Sequence, residues 1–421
     1  MTLLPQPAVP DNRQKQTEST IAMPMPSRDV LVLAAGQAMT STVVSLLTSV
    51  SSLSGAYLAP APALSTVPVT ATVLGTLVMI YPASALMARL GRRGGFMFKA
   101  GFGVIGGAVC TLALFAASFG TLIAGTFLLG IFSAFGQYYR FAAIDAARNV
   151  RERTAAVAVV TGAGVVGGVA GPFLGGTFGG VMRTVPYAGA FAALSLVCAA
   201  LAASQSLLST DLGRDAGRRE EGSAPSLTLN AGFIRASAIC AAGFAVMTLT
   251  MNAAPLSLHL CGYGLPVSSA VLQVHFALMY LPSFFNPAVV AAIGLRGLVA
   301  LGVAASGAGC LLTVLTAQTP GVYGVELGLS GLGWNFMFNG GTLLLANTYA
   351  AALRSRAQGL NSLIVYGANL AASLSAGALM AAYGWPIVNL ACLPLLAVAL
   401  FSLWPGRSAK TALVCGAVER G

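Results

Sequence analysis

Apolar runs of about twenty residues, each long enough to cross a hydrocarbon core, follow one another along almost the whole chain, and nothing else restricts its fold so severely. Broken by glycine, proline and charge, they fall at 30–55, 66–88, 95–117, 121–144, 154–178, 187–208, 232–257, 267–291, 297–317, 321–347, 356–380 and 386–404, twelve in number. Inside a bilayer every backbone N–H and C=O has to be paired within its own segment, so runs of this length fold as helices. With 57% hydrophobic and only 8% charged residues, the chain lacks the polar side chains that would coat a water-facing surface, and a soluble fold is excluded. The expected class is an all-α integral membrane protein with twelve transmembrane helices, surrounded by lipid.

The one long polar interruption, 209–230, divides the runs into six and six. The expected organisation is a disordered cytosolic tail over 1–29, a six-helix bundle over 30–208, a cytosolic loop over 209–230, a second bundle over 231–404 and a cytosolic tail over 405–421. The halves repeat at a fixed offset of 203 residues: Gly91, Arg93 and Gly94 return as Gly294, Arg296 and Gly297, Arg151 and Arg153 as Arg354 and Arg356, and Gly130 and Gly164 as Gly333 and Gly367. Several matches in one register indicate an internal duplication, as in many secondary transporters.

A net charge of +11 invites a polyanionic partner, but the basic residues fall into alternate loops. Arg89, Arg92, Arg93 and Lys99 follow span 2, Arg148, Arg151 and Arg153 follow span 4, and Arg214, Arg218 and Arg219 follow span 6; the odd-numbered exits carry only Arg183. By the positive-inside rule both termini lie in the cytosol of a chain embedded in the inner, cytoplasmic membrane. The charge reports topology, and nucleic acid is not an expected partner. Seven scattered cysteines form no CxxC pair, so neither a metal nor a cofactor is expected.

Ser84-Ala-Leu-Met-Ala-Arg-Leu-Gly-Arg-Arg93 resembles the loop 2–3 motif of the major facilitator superfamily, G-x-L-a-D-R-x-G-R-[RK], with Arg89, Gly91, Arg92 and Arg93 in place. Ala88 stands where the family has an aspartate. The motif makes a glycine turn whose arginines latch neighbouring helix ends, and the resemblance implies Asp145, at the end of span 4, as the substitute anion for Arg89. Span 5 carries Gly167-Gly-Val-Ala-Gly-Pro-Phe-Leu-Gly-Gly176, which resembles the superfamily's antiporter motif through Gly167, Gly171, Pro172, Gly175 and Gly176. Small residues at that spacing let another helix approach closely, and a proline bends the span. The resemblance implies two pseudo-symmetric six-helix bundles around a central cavity lined by spans 1, 2, 4, 5, 7, 8, 10 and 11. In span 4, Thr126 stands where many members carry a buried arginine.

Polarity is segregated by helix in agreement with that arrangement. The expected substrate cavity takes Gln37 and Thr40 from span 1, Gln137, Tyr138 and Arg140 from span 4, Asn252 from span 7, Gln273 from span 8, Trp334, Asn335 and Asn339 from span 10, and Asn361 and Tyr366 from span 11. Ionisable groups inside hydrocarbon are functional candidates by default. His275 in span 8 ordinarily titrates near physiological pH, and Glu326 lies in the outer part of span 10 within reach of water; both are expected to carry coupling protons. Span 1 has no embedded acid, since Asp29 precedes its apolar run.

These features point to a secondary active transporter for a small organic molecule, working as a monomer by alternating access and coupled to protons. The span 5 motif favours export; the amide-rich cavity keeps open an uptake permease for a vitamin, metal chelate or metabolite, as facilitator or symporter. A channel or receptor would leave the two-fold repeat unexplained. No GxxxxGK[ST] phosphate loop is present to drive a pump, and no HExxH or GxSxG signature suggests an enzyme.

Overall fold

The computed structural model describes residues 27–147, 150–209, 229–350 and 353–404; the expected tails and most of the central loop lie outside them. Its spans are α1 (Arg28–Leu58), α2 and α3 (together Val67–Phe115), α4 (Phe119–Ala134, running on through Phe135–Tyr138 into Tyr139–Asp145), α5 (Val150–Phe178) and α6 (Ala188–Gln205). The second half comprises α7 (Ala231–Leu260), α8 (Leu265–Tyr280, continuing into Asn286–Leu315 as far as Gly294), α9 (the rest of that helix), α10 (Pro320–Ala346), α11 (Arg354–Leu390 up to Gly384) and α12 (from there through Cys392–Ser402). Among the described residues nine helices are long and apolar enough to cross a bilayer, and two of these, Pro62–Phe115 and Arg356–Ser402, hold two spans each. The polar α10, with Trp334, Asn335 and Asn339, makes the twelfth.

Three spans turn directly into the next on a single glycine. Gly91 has φ 71° and ψ 174°, Gly294 φ 73° and ψ 172°, and Gly384 φ 76° and ψ −178°, a combination open in practice only to a residue without a Cβ. Gly91 and Gly294 are the pair found at the 203-residue offset, so the repeat returns as backbone conformation. Gly130 and Gly333 do not behave alike: a Cβ on Gly130 would meet Thr72 and Gly75 of α2, whereas one on Gly333 would meet Ser306 and Gly302 of α9.

The exits of the even-numbered spans lie on one face. Asp29 accepts from the Ser209 hydroxyl at 2.7 Å, joining the start of α1 to the end of α6, and Arg235 donates to the Trp404 carbonyl at 3.1 Å, joining the start of α7 to the end of α12. The latch lies on this basic face too. Arg92 Nε donates to Asp145 Oδ2 at 2.9 Å and Nη2 approaches the same oxygen at 2.8 Å. Asp145 thus does meet loop 2–3, but its partner is Arg92 and not Arg89, which is exposed. The turn at Gly91 swings the chain around, and the arginine just after it faces α4. Arg92→Ala and Asp145→Asn should each slow transport about threefold to tenfold, with the double mutant little slower than either; fully additive losses in initial rate would show that the pair does not act together.

In the far half the bundles are bonded to one another: Thr66 Oγ1 donates to the Ser373 carbonyl at 2.9 Å, the Thr70 and Ser373 hydroxyls meet at 2.9 Å, and the Gly377 amide donates to Thr66 Oγ1 at 3.1 Å. Leu53 of α1 is buried in the core of the second bundle. The glycine row of α5 serves two contacts. A Cβ on Gly167 would overlap the Ala38 carbonyl and one on Gly171 would overlap Ser45 and Thr42, all on α1, while Gly176 sits against Ser269 of α8. Most of the row therefore packs α5 on α1 within one bundle, and Ser45 Oγ donates across that seam to the Gly167 carbonyl at 3.0 Å. A seam inside one bundle carries no information on the direction of transport.

Candidate functional site

Between the bundles, the first contributes amides and a guanidinium and the second an aromatic wall. Half-buried Gln37 donates to Ser41 Oγ at 3.2 Å, and its side chain lies beside Gly164 of α5. On α4 the chain tightens over Phe135–Tyr138 before resuming as Tyr139–Asp145, which brings Gln137 and Arg140 into the open, joined by an Arg140 Nη2 to Gln137 Oε1 bond at 3.4 Å. Across from them, Tyr366 lies beside Gln137 and Arg140, and Tyr280 lies near Arg140.

Tyr366 leads into a cluster of rings. Its centroid is 6.2 Å from that of Phe244, which stands edge-on to Trp334 at 5.2 Å and to Phe338 at 5.0 Å, while Trp334 and Phe338 stack at 5.2 Å and 15°. Trp334 and Phe338 are four residues apart on α10 and so share a face. The Trp334 indole N–H and Asn361 Oδ1 are buried without hydrogen-bond partners. Buried polar atoms are ordinarily paired, so these mark where a polar ligand would be welcome. Gln273 and Asn339 are half-buried, and Tyr138 reaches the Ile80 carbonyl at 3.2 Å.

Several expected cavity residues are fasteners instead. Thr40 is buried behind α1 and takes a bond from Lys99. Asn335 donates to the Met279 carbonyl at 2.7 Å and to Ser283 at 2.6 Å and accepts from Asn286 at 2.9 Å, which rivets α10 to α8. Asn252 donates to Ser373 at 3.2 Å, tying α7 to α11.

The expected coupling groups are both wholly buried. Glu326 does not reach water: it is wholly buried, both carboxylate oxygens lack partners, and it faces Cys310 and Cys392 of α9 and α12 rather than the cavity. His275 is wholly buried with Nδ1 2.7 Å from the Leu327 carbonyl, so that nitrogen carries the hydrogen and Nε2 is left unpaired. The opposite surprise is Lys99, grouped by sequence with the loop charges but fully buried in α3. Because the turn at Gly91 is so tight, Lys99 already lies two turns inside its span. Phe244, Phe338 and Tyr280 were equally missed, since an aromatic in an apolar run looks the same whether it faces lipid or a cavity.

Comparison with known proteins agrees with this architecture. The family model described as Major Facilitator Superfamily matches residues 30–350. A riboflavin transporter of Brucella anthropi is 30% identical over 381 residues, covering 89% of this chain and 95% of the relative, and an uncharacterized MFS-type transporter of Bacillus subtilis is 24% identical over 345 residues, covering 77% and 78%. Among solved structures, a D-xylose–proton symporter superposes with a TM-score of 0.70 at 13% identity over 89% of this chain and 95% of its own. The xylose transporter XylE from E. coli, partially occluded and inward open, gives 0.67 at 12% identity over 91% and 99%.

Proposed function

The chain belongs to the major facilitator superfamily, and on that premise we propose that this multi-pass membrane transporter carries riboflavin or a closely related flavin by alternating access. The observation that supports this most is the ring cluster of Phe244, Trp334 and Phe338, joined through Tyr366 to Gln137 and Arg140. A flavin is a flat tricycle with an imide edge of alternating donors and acceptors and a chain of hydroxyls. Its plane suits offset stacking on Trp334 and Phe338; its imide edge suits the Gln137 amide and Arg140 guanidinium; its hydroxyls suit the unpaired oxygen of Asn361. The similarity to a riboflavin transporter points the same way. With the α5 glycine row assigned to packing, uptake of such a vitamin is the direction we propose. The basic face is then cytosolic: a reporter active only in the cytosol works after Arg93 or Arg356 and fails after Arg183.

Riboflavin fluorescence tests the substrate directly, because stacking on an indole quenches it. Saturable quenching by the purified protein, reversed by unlabelled flavin analogues, is the expected result. Quenching that does not saturate, or is not competed, would rule out a flavin site.

A further inference from the structure

We infer that Lys99, with Thr40, Tyr139 and Gln205, forms a proton-exchange site inside the first bundle that couples substrate movement to protons arriving from the basic face. This rests on the carrier function proposed above. Lys99 Nζ donates to Thr40 Oγ1 at 2.6 Å, and the Thr40 hydrogen is committed to the Gly36 carbonyl at 2.7 Å, so that hydroxyl can only accept. Three rings box the nitrogen, with centroids at 4.5 Å for Phe132, 4.6 Å for Tyr139 and 5.9 Å for Phe96. Aromatic faces hold an ammonium without an anion, and among the described residues no carboxylate forms an ion pair with Lys99. The titratable groups facing it are Tyr139 from α4 and Cys198 from α6; α1 offers only Thr40. An ionisable side chain with no countercharge, deep in a span, is costly to keep for packing alone.

A polar string leads from this box toward the basic face. At Gly36, one turn from Thr40, a Cβ would come within 2.7 Å of the Tyr139 hydroxyl and would overlap the Gln205 amide. The Tyr139 hydroxyl oxygen and Gln205 Oε1 are both buried and without partners. Gln205 Nε2 donates to the Val32 carbonyl at 3.1 Å and to Ser204 at 3.0 Å, close to where α1 begins and α6 ends. From Thr40 to Val32 is about 12 Å of helix rise. Proton exchange is balanced at Lys99: in one half-cycle Nζ gives up a proton to water admitted from the basic face and keeps the electron pair, and in the other it takes a proton back from water, so Lys99 ends each cycle as it began. The exchange acts on the substrate wall because α1 presents Thr40 to Lys99 and, a turn away, Gln37 to the cavity.

Proteoliposomes loaded with riboflavin separate coupling from binding. In Lys99→Met and Lys99→Arg, accumulation driven by a pH gradient should fall about tenfold or more, to the level without a gradient, while riboflavin counterflow stays within about twofold of the parent. Arginine keeps the charge but cannot release its proton, so restored accumulation in Lys99→Arg overturns the inference. So does undiminished accumulation in Lys99→Met, or its loss only in His275→Ala or Glu326→Gln. If Lys99→Met fails to reach the membrane, Thr40→Val and Tyr139→Phe must show the same selective loss. If the parent gives no riboflavin counterflow, the substrate proposal fails, and Lys99 is judged without substrate: the melting temperature of the purified parent varies with pH in a way that Lys99→Met lacks, and identical pH profiles overturn the proton site.

Discussion

Replacing Gly171 with leucine should reduce transport to the background of empty membranes while the chain still inserts in normal amount. A Cβ alone at that position would overlap Ser45 Oγ and the Thr42 carbonyl and crowd the Leu46 amide, so neither a rotamer change nor a single side-chain shift can make room. Four added carbons have to push α5 off α1 along a seam that Gly167 also needs close. Overpacking a tight contact costs about 1–3 kcal/mol and displaces backbone; between spans whose association rests on close approach, it also breaks the bond from Ser45 to the Gly167 carbonyl. Gly171→Ala should cause a smaller loss in the same direction. Uptake and surface abundance measured on the same cells check this, and normal transport by the leucine variant would mean that the seam opens freely.

Trp334→Ala should weaken flavin binding roughly 10- to 100-fold while leaving the fold in place, since a base-sized ring stacked on an aromatic side chain contributes about 1–3 kcal/mol. Trp334 stacks on Phe338 and abuts Phe244, so removing it opens the middle of the cluster and takes away the unpaired indole N–H as well. Trp334→Phe keeps the plane and loses the donor, and should recover most of the affinity. The quenching titration reads both variants; unchanged affinity in Trp334→Ala would place the flavin elsewhere in the cavity.

The spans were legible because hydrocarbon enforces a length and an apolar composition that no loop imitates. Gly91 and Gly294 were legible because a reversal between two spans without a loop requires positive φ, and only glycine supplies it cheaply. Asp145 was legible as the anion for loop 2–3, but choosing among three neighbouring arginines requires the direction of the turn, which spacing does not carry. Lys99 was hidden for a related reason: a lysine a few residues past a basic loop reads as part of it unless the loop is known to be a single glycine. Glu326 and His275 attracted attention as rare charges, yet rarity says nothing about which side of α8 or α10 they occupy. The ring cluster was least visible, because phenylalanine in a span is equally suited to lipid and to a flat ligand, and only the packing of α7, α10 and α11 separates the two.

Counterflow of radiolabelled riboflavin into proteoliposomes tests the carrier most directly. Vesicles preloaded with unlabelled riboflavin and diluted into a trace of labelled riboflavin, with no ion gradient imposed, should show a transient overshoot of label above equilibrium, abolished in Gly171→Leu and reduced in Trp334→Ala. A channel lets label rise only to equilibrium, and a protein that does not carry flavins gives the leak of empty vesicles; either of those time courses from the parent would contradict a flavin carrier working by alternating access.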